Sequence, residues 1–377
     1  MTPLKSNISA FLSLVRVGLW ENCSEFQVSR FRLQDSIDWE KVYQLAEEQS
    51  VIGVALAGIE HSRVKPPQEL LLQWIGEVQM LEQQNKSMNQ FIAELVEKMR
   101  QADIYTLLIK GQGIAQCYER LLWRCCGDVD FLLSEDNYKK AICFLTPLAL
   151  TVQEENERYK HIAMTIEPWE VELHGTMGCG LWNSIEKGLD EIFDAVIYGG
   201  NVRSWIDGKT QVFLPGVDED VVYVFSHILQ HFYKEGIGLR QVCDWCRLLW
   251  TYRNTININL LEKRLIRMKA MSEWKAFGAL AVEYLGMPHE AMPFYKRSKM
   301  LSLKAGRILD FIIETGTFGH NRDYSYYEKY PFLVFKFISL WRHTKDMVRY
   351  FAIFPVDSIK LWFGMIKRGV SVAIKGK

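Results

Sequence analysis

Ile104-Tyr105-Thr106-Leu107-Leu108-Ile109-Lys110-Gly111-Gln112-Gly113, followed shortly by Arg124-Cys125-Cys126-Gly127-Asp128-Val129-Asp130-Phe131-Leu132-Leu133-Ser134, is the stretch that decides how this chain is read. Ile104 to Ile109 is a short apolar run with β character, the glycines after Lys110 predict a turn, and Ile114 to Trp123 has helical spacing. Asp128 to Ser134 is again strand-like and Asn137 to Leu148 again helical. Tyr159 to Ile166 and Trp169 to His174 alternate on either side of Glu167-Pro168, which predicts a hairpin. Residues 101–180 are therefore expected to form a small α/β unit.

Outward from that unit the pattern is helical. Ile37 to Ile59 predicts one or two short helices after an Asp38 cap. Pro66 and Pro67 precede Glu69 to Gln101, a run almost free of breakers that predicts a helix of about 30 residues. Beyond Gly180, helices are expected over Val217 to Lys234, Leu239 to Tyr252, Leu260 to Met268 and Ser272 to Leu285. The fold class is α+β, a small mixed sheet embedded between a helical region over 1–100 and a helical domain over 181–328, with a tail over 329–377.

A length of 377 residues exceeds what one compact core usually holds. Hydrophobic residues at 49% exclude global disorder, and 45 basic against 45 acidic residues exclude a chain-wide basic field for nucleic acid. Eight cysteines, two of them adjacent, are too sparse for a disulfide scaffold and point to a reducing compartment, the cytosol. Arg16 interrupts the apolar stretch Phe11 to Trp20, which argues against a signal peptide, and no run has the length a membrane span needs.

Chemistry concentrates near Asp128 and Asp130. Strand periodicity of two puts both carboxylates on one face, where they can share hard cations such as Mg²⁺, although two exposed aspartates on a strand edge give the same pattern. Clustered acids without metal repel, so Asn at either position is expected to leave the melting temperature close to unchanged or raise it. Upstream, the turn Lys110 to Gly113 offers backbone N–H groups to a phosphate, or is merely a βα connection. Downstream, Glu170, Glu172 and His174 share one strand face, and a third carboxylate on a neighbouring strand is what a two-metal site needs to deprotonate an attacking group. Lys110 and Arg124 can supply cations, or be a strand-end lysine and a loop arginine.

The remaining candidates lie in the helical half. His227 and His231 are four apart on a helix, but Ile228 follows the first, which excludes the metalloprotease signature; they pack, or line a pocket. Arg240 and Asp244 have the spacing of a helix ion pair. Cys243 and Cys246 form a CxxC inside a helical pattern, with no second pair to make zinc or redox work expected.

As a set, Leu107 to Gly113, Arg124 to Leu133 and Val171-Glu172-Leu173-His174 resemble the bacterial uncharacterised nucleotidyltransferase family, a branch of the polymerase-beta-like nucleotidyltransferase superfamily. The run His227 to His231, with Leu239, Arg240 and Asp244, is similar to the helical half of that family, and the likeness covers roughly residues 37–285. The resemblance implies a nucleotidyltransferase core over 101–180. Asp128, Asp130 and Glu172 would be catalytic and metal-ligating, holding two Mg²⁺ ions, with Mn²⁺ as a substitute. Lys110, Gly111, Gln112, Arg124 and Gly127 would bind a nucleoside triphosphate such as ATP. Glu170, His174, His227, His231 and Arg240 would line the pocket. Attack of an unidentified hydroxyl acceptor on the α-phosphorus would expel pyrophosphate. Gln112 stands where the superfamily usually has Ser, and Glu172 where it often has Asp. The alternative is a catalytically silent member acting as a binding platform; a kinase-like reading lacks its glycine-loop and catalytic-loop signatures.

The tail over 329–377 holds ten Lys or Arg against Asp346 and Asp357, a net charge of +8, interleaved with aromatics. Phe335 to Arg349 and Ser358 to Arg368 are each expected to form helices that cap the core or lie on an anionic membrane surface or acidic partner.

Overall fold

The structure is a computed structural model, which describes residues 3–21, 37–234, 236–317, 332–360 and 362. Helices α1 (Pro3–Leu19), α2 (Trp39–Glu48) and α3 (Ile52–His61) precede the long α4 (Gln68–Gln101). Asp38 caps α2 by accepting from the Lys41 N–H, as its position before the apolar pattern predicts. Helices α1 and α3 touch backbone to backbone: a Cβ on Gly18 would lie 1.9 Å from the Val54 carbonyl oxygen, and one on Gly58 2.0 Å from that of Leu14.

Helix α4 has 34 residues and is about 51 Å long at 1.5 Å per residue. That reach lets it serve two cores. Leu70, Trp74 and Val78 pack into the helical core, and Trp74 donates to the Ile52 carbonyl at 3.0 Å. Met88, Ile92, Leu95, Val96 and Met99 pack against the sheet.

The sheet comprises β1 (Leu107–Ile109), β2 (Asp128–Leu132), β3 (Thr151–Val152), β4 (His161–Ile166) and β5 (Trp169–His174), in the order β1-β2-β5-β4-β3. The β2–β5 pair is parallel and the other neighbours are antiparallel, so the sheet is mixed as expected. Val129, Phe131, Val171, Leu173, Ile162 and Met164 alternate onto the face covered by α4 and by α6 (Glu135–Leu145). The opposite face is thereby left for Asp128, Asp130, Glu172, His161 and His174.

Helices α7 (Asn183–Ile197), α8 (Val217–Lys234), α9 (Leu239–Thr251), α10 (Ile258–Met268), α11 (Met271–Glu283) and α12 (Lys299–Thr315) follow. They share one apolar cluster with α1–α3, centred on stacked Phe225 and Trp245 with Trp274 set edge-on. Helix α13 (Phe332–Ile353) closes on that cluster: Tyr350 and Phe354 are buried and the Tyr350 hydroxyl donates to the Phe232 carbonyl at 2.6 Å. Its other face leaves Val334, Trp341, Val348 and Phe351 exposed. The second expected tail helix lies mostly outside the described residues. Among the described residues no helix is long and apolar enough to cross a membrane.

Two expectations need correction. The helix read over Ile114 to Trp123 stops almost at once: α5 spans Gly111–Ala115, and a 3₁₀ turn covers Leu121–Trp123. Tertiary donors hold the carbonyls of this segment instead. Arg247 Nε donates to the Cys117 oxygen at 2.8 Å, and Asn85 Nδ2 to those of Leu122 and Arg124 at 2.8 and 2.9 Å. The region after Gly180 also contains a hairpin, β6 (Val202–Asp207) and β7 (Thr210–Pro215), whose Val212 and Leu214 join the sheet-side core. Asp207-Gly208, with Gly208 at φ +58°, is the turn signal that marks it.

Candidate active site

A cavity of ≈ 550 Å³ lies between the acid-bearing face of the sheet and helices α8 and α9. Strand register assembles its floor. Parallel pairing sets Asp130 opposite Glu172, and antiparallel pairing sets Ile109, the last residue before Lys110, opposite Asp130. The carboxylates of Asp128, Asp130 and Glu172 present oxygens within 4.8 Å of one another. Three negative charges so close in a half-buried place need cations beside them.

Lys110 and His174 answer that need. Lys110 Nζ lies 2.7 Å from Asp130 Oδ1, and His174 Nε2 donates to the same oxygen at 2.8 Å. Asp130 is 2% exposed, so the pair is shielded from solvent. Burial alone would lower the Lys110 pKa, but Asp130, then Tyr223, Asp128 and Glu172, raise it instead and keep the ammonium charged. Lys110 sits at φ +56°, a backbone region that glycine normally occupies; such strain recurs where a side chain must be aimed at a site.

The other acids differ among themselves. Asp128 is raised above the usual carboxylate range, first by the negative charge of Asp130 and second by burial. Glu172 is partly buried, which would raise it, yet His161 Nε2 donates to its Oε2 at 3.1 Å, His174 lies 3.4 Å from the same oxygen, and the net effect holds the carboxylate well below its ordinary value. His174 is lowered by burial but raised overall by Asp130 and Glu172. Across the cavity His227 and His231 share a hydrogen bond of 3.0 Å between their Nε2 atoms, and burial next to Lys110 drives the His227 pKa well down, so that ring is neutral.

The family described as uncharacterised nucleotidyltransferase matches residues 35–286, a span that carries the whole sheet, the cavity and the helices around them. The chain belongs to that family. No curated protein and no solved structure matches it. Membership of a nucleotidyltransferase family supports a general nucleotidyl-transfer role, with acidic groups placed where they can hold metal.

Most residues read from the sequence meet in this one cavity: Lys110, Gly111, Arg124, Asp128, Asp130, Glu172, His174, His227, His231 and Arg240 all line it. Three stand elsewhere. The Gln112 side chain is buried and turns inward, donating to Asn85 Oδ1 at 2.8 Å. Gly127 is exposed and borders a second, more open depression that also touches Asp128 and Arg240. Glu170 is exposed and accepts from Gln153 at 3.1 Å. Arg124 lines the wall but spends its guanidinium on protein: Nε and Nη2 grip the two Asp244 oxygens at 2.9 and 2.7 Å, and Nη1 donates to the Cys125 carbonyl. Asp244 is therefore the partner of Arg124 and of the Tyr118 hydroxyl, rather than of Arg240 as the helix spacing suggested. Arg240 instead reaches the Cys125 carbonyl at 2.6 Å, and its buried Nε has no partner among the described residues. Cys243 and Cys246 are fully buried inside α9, which suits packing.

Two residues of the site escape single-motif reading. His161 pairs across the β4–β5 hairpin with His174, a register that Glu167-Pro168 as the turn makes countable along the sequence. Asn85, fully buried in the middle of α4, fixes the carbonyls of the loop leading to Asp128 and holds Gln112. Its signal is a polar residue at an apolar position of the helix.

Proposed function

We propose that the protein is a metal-dependent nucleotidyltransferase that moves a nucleoside monophosphate from a nucleoside triphosphate to a hydroxyl acceptor and releases pyrophosphate. The observation that carries this reading is the trio Asp128, Asp130 and Glu172, drawn from two parallel strands and matched by lysine and histidine in one cavity. An all-oxygen donor set of this kind fits Mg²⁺. Bound there, Mg²⁺ neutralises triphosphate oxygens and favours displacement at phosphorus.

The chain's own groups do the rest. Lys110, held charged, and Arg240 line the same cavity and offset the charge of the phosphates. Glu172 takes the proton of the acceptor hydroxyl, its carboxylate oriented by the His161 Nε2 that donates to it at 3.1 Å. The acceptor oxygen bonds to the α-phosphorus while the α–β bridging oxygen leaves with pyrophosphate.

A melting assay with ATP, CTP, GTP and UTP, each with and without Mg²⁺, tests the reading. The cognate nucleotide at 100 times its Kd adds about 2.7 kcal/mol, and only when the metal is present. The absence of any shift with all four would leave the fold as a binding platform.

A further inference from the structure

A second group of donors lies beside the three carboxylates: His161, Glu172 and His174, whose ligand atoms also fall within 4.8 Å of one another. Antiparallel pairing sets His161 directly across from His174, and Glu172 precedes His174 by two residues on the same strand face. The two Nε2 atoms lie 3.1 and 3.4 Å from one and the same oxygen, Glu172 Oε2. Zinc binds imidazole nitrogen and carboxylate oxygen at about 2.0–2.1 Å, which in a tetrahedron separates neighbouring ligand atoms by about 3.3 Å. Two edges of the right length therefore exist before any ion arrives.

Donor type separates this group from its neighbour. Three carboxylates suit Mg²⁺, whereas two imidazoles and one carboxylate suit a borderline ion such as Zn²⁺ or Co²⁺. We propose that His161, Glu172 and His174 form a binding site for a borderline divalent cation, Zn²⁺ above all, distinct from the all-oxygen group and joined to it through Glu172.

The surroundings accept such an ion. It takes the place of the Nε2 hydrogens, so the Glu172 oxygen keeps a cationic partner. His174 gives up its contact with Asp130, but Lys110 stays 2.7 Å from that carboxylate and no buried charge is orphaned. The His161 side chain is 34% exposed and lines the cavity, which provides an entry path. Three protein ligands leave a tetrahedral ion one open position, the arrangement of sites that bind a further ligand rather than of closed structural sites.

The site does not rest on nucleotidyl transfer, because it is read with metal alone and no nucleotide. Chelator-treated full-length protein is titrated with Co²⁺ and followed by its visible ligand-field absorption. Wild type and Asp128→Asn are expected to bind one equivalent alike, and His161→Ala to bind about tenfold more weakly or worse, since losing even an outer-shell partner costs about 10–100-fold. Equal binding by His161→Ala, or equal weakening by Asp128→Asn, overturns the proposal. Zinc K-edge fine structure on the wild-type protein with one equivalent of Zn²⁺ decides independently of how any variant folds. A shell of two imidazoles with oxygen supports the site; thiolate sulfur or an all-oxygen shell overturns it.

Discussion

Asp128 and Asp130 share one strand face, yet their replacement by asparagine is expected to move stability in opposite directions. Asp130 is 2% exposed, and its Oδ1 faces Lys110 Nζ at 2.7 Å and His174 Nε2 at 2.8 Å. Asparagine keeps the shape and removes the charge both cations face. Removing one partner of a buried ion pair costs about 3–5 kcal/mol. Unfolding entropy of about 2.1 cal/mol/K per residue over the 377 residues amounts to about 0.8 kcal/mol/K, so Asp130→Asn should lower Tm by about 4–6 °C. Asp128 is governed by repulsion, since the charge of Asp130 and then burial raise its pKa. A carboxyl raised on folding weakens the folded state once ionised, so Asp128→Asn should leave Tm unchanged or raise it. The strand face alone predicted one behaviour for both; the ion pairs split them. Calorimetry of the chelator-treated variants at neutral pH checks this. Equal falls in the two, or a rise with Asp130→Asn, would refute Asp130 as the counter-ion of Lys110 and His174.

Glu172→Gln is expected to lower kcat by about 10²–10⁴-fold while changing nucleotide affinity little, and Glu170→Gln, whose side chain faces Gln153, to change neither; the reverse ranking would move the base to Glu170. His174 has its pKa raised on folding, so the stability it contributes is complete below its unfolded value of about 6.5 and is lost as pH rises through the folded value. Urea unfolding of wild type and His174→Gln across pH 5 to 9 should therefore show the widest gap on the acid side, and a gap that widens with rising pH contradicts the assignment. The tail carries a net charge of +8, and α13 leaves Trp341, Val348 and Phe351 exposed beside it. If that face lies on an anionic membrane, full-length protein floats with anionic liposomes at low salt and releases at high salt, whereas protein ending near Tyr326 stays behind. Equal flotation of both, or of neither, makes α13 a packing element only.

How far the sequence reached follows from the range of the forces involved. Periodicity located α4, α8, α9 and the strands β2 and β5, because burying one face of an element imposes its repeat on the residues themselves. The same period of two put Asp128 with Asp130, and Glu172 with His174, before any contact was known. The early end of α5 was not legible, since the donors that capture the Cys117 and Leu122 carbonyls come from Arg247 and Asn85, 130 and 37 residues away. Nor could spacing assign Asp244: the turn-to-turn distance to Arg240 in α9 lost to a two-pronged grip by Arg124, brought there by the packing of α9 against the loop before β2. Local order of the chain thus determined which side chains carry chemistry. Only tertiary packing decided which charge each of them meets, because a buried ion pair depends on what lies within about 4 Å in space and not on distance along the sequence.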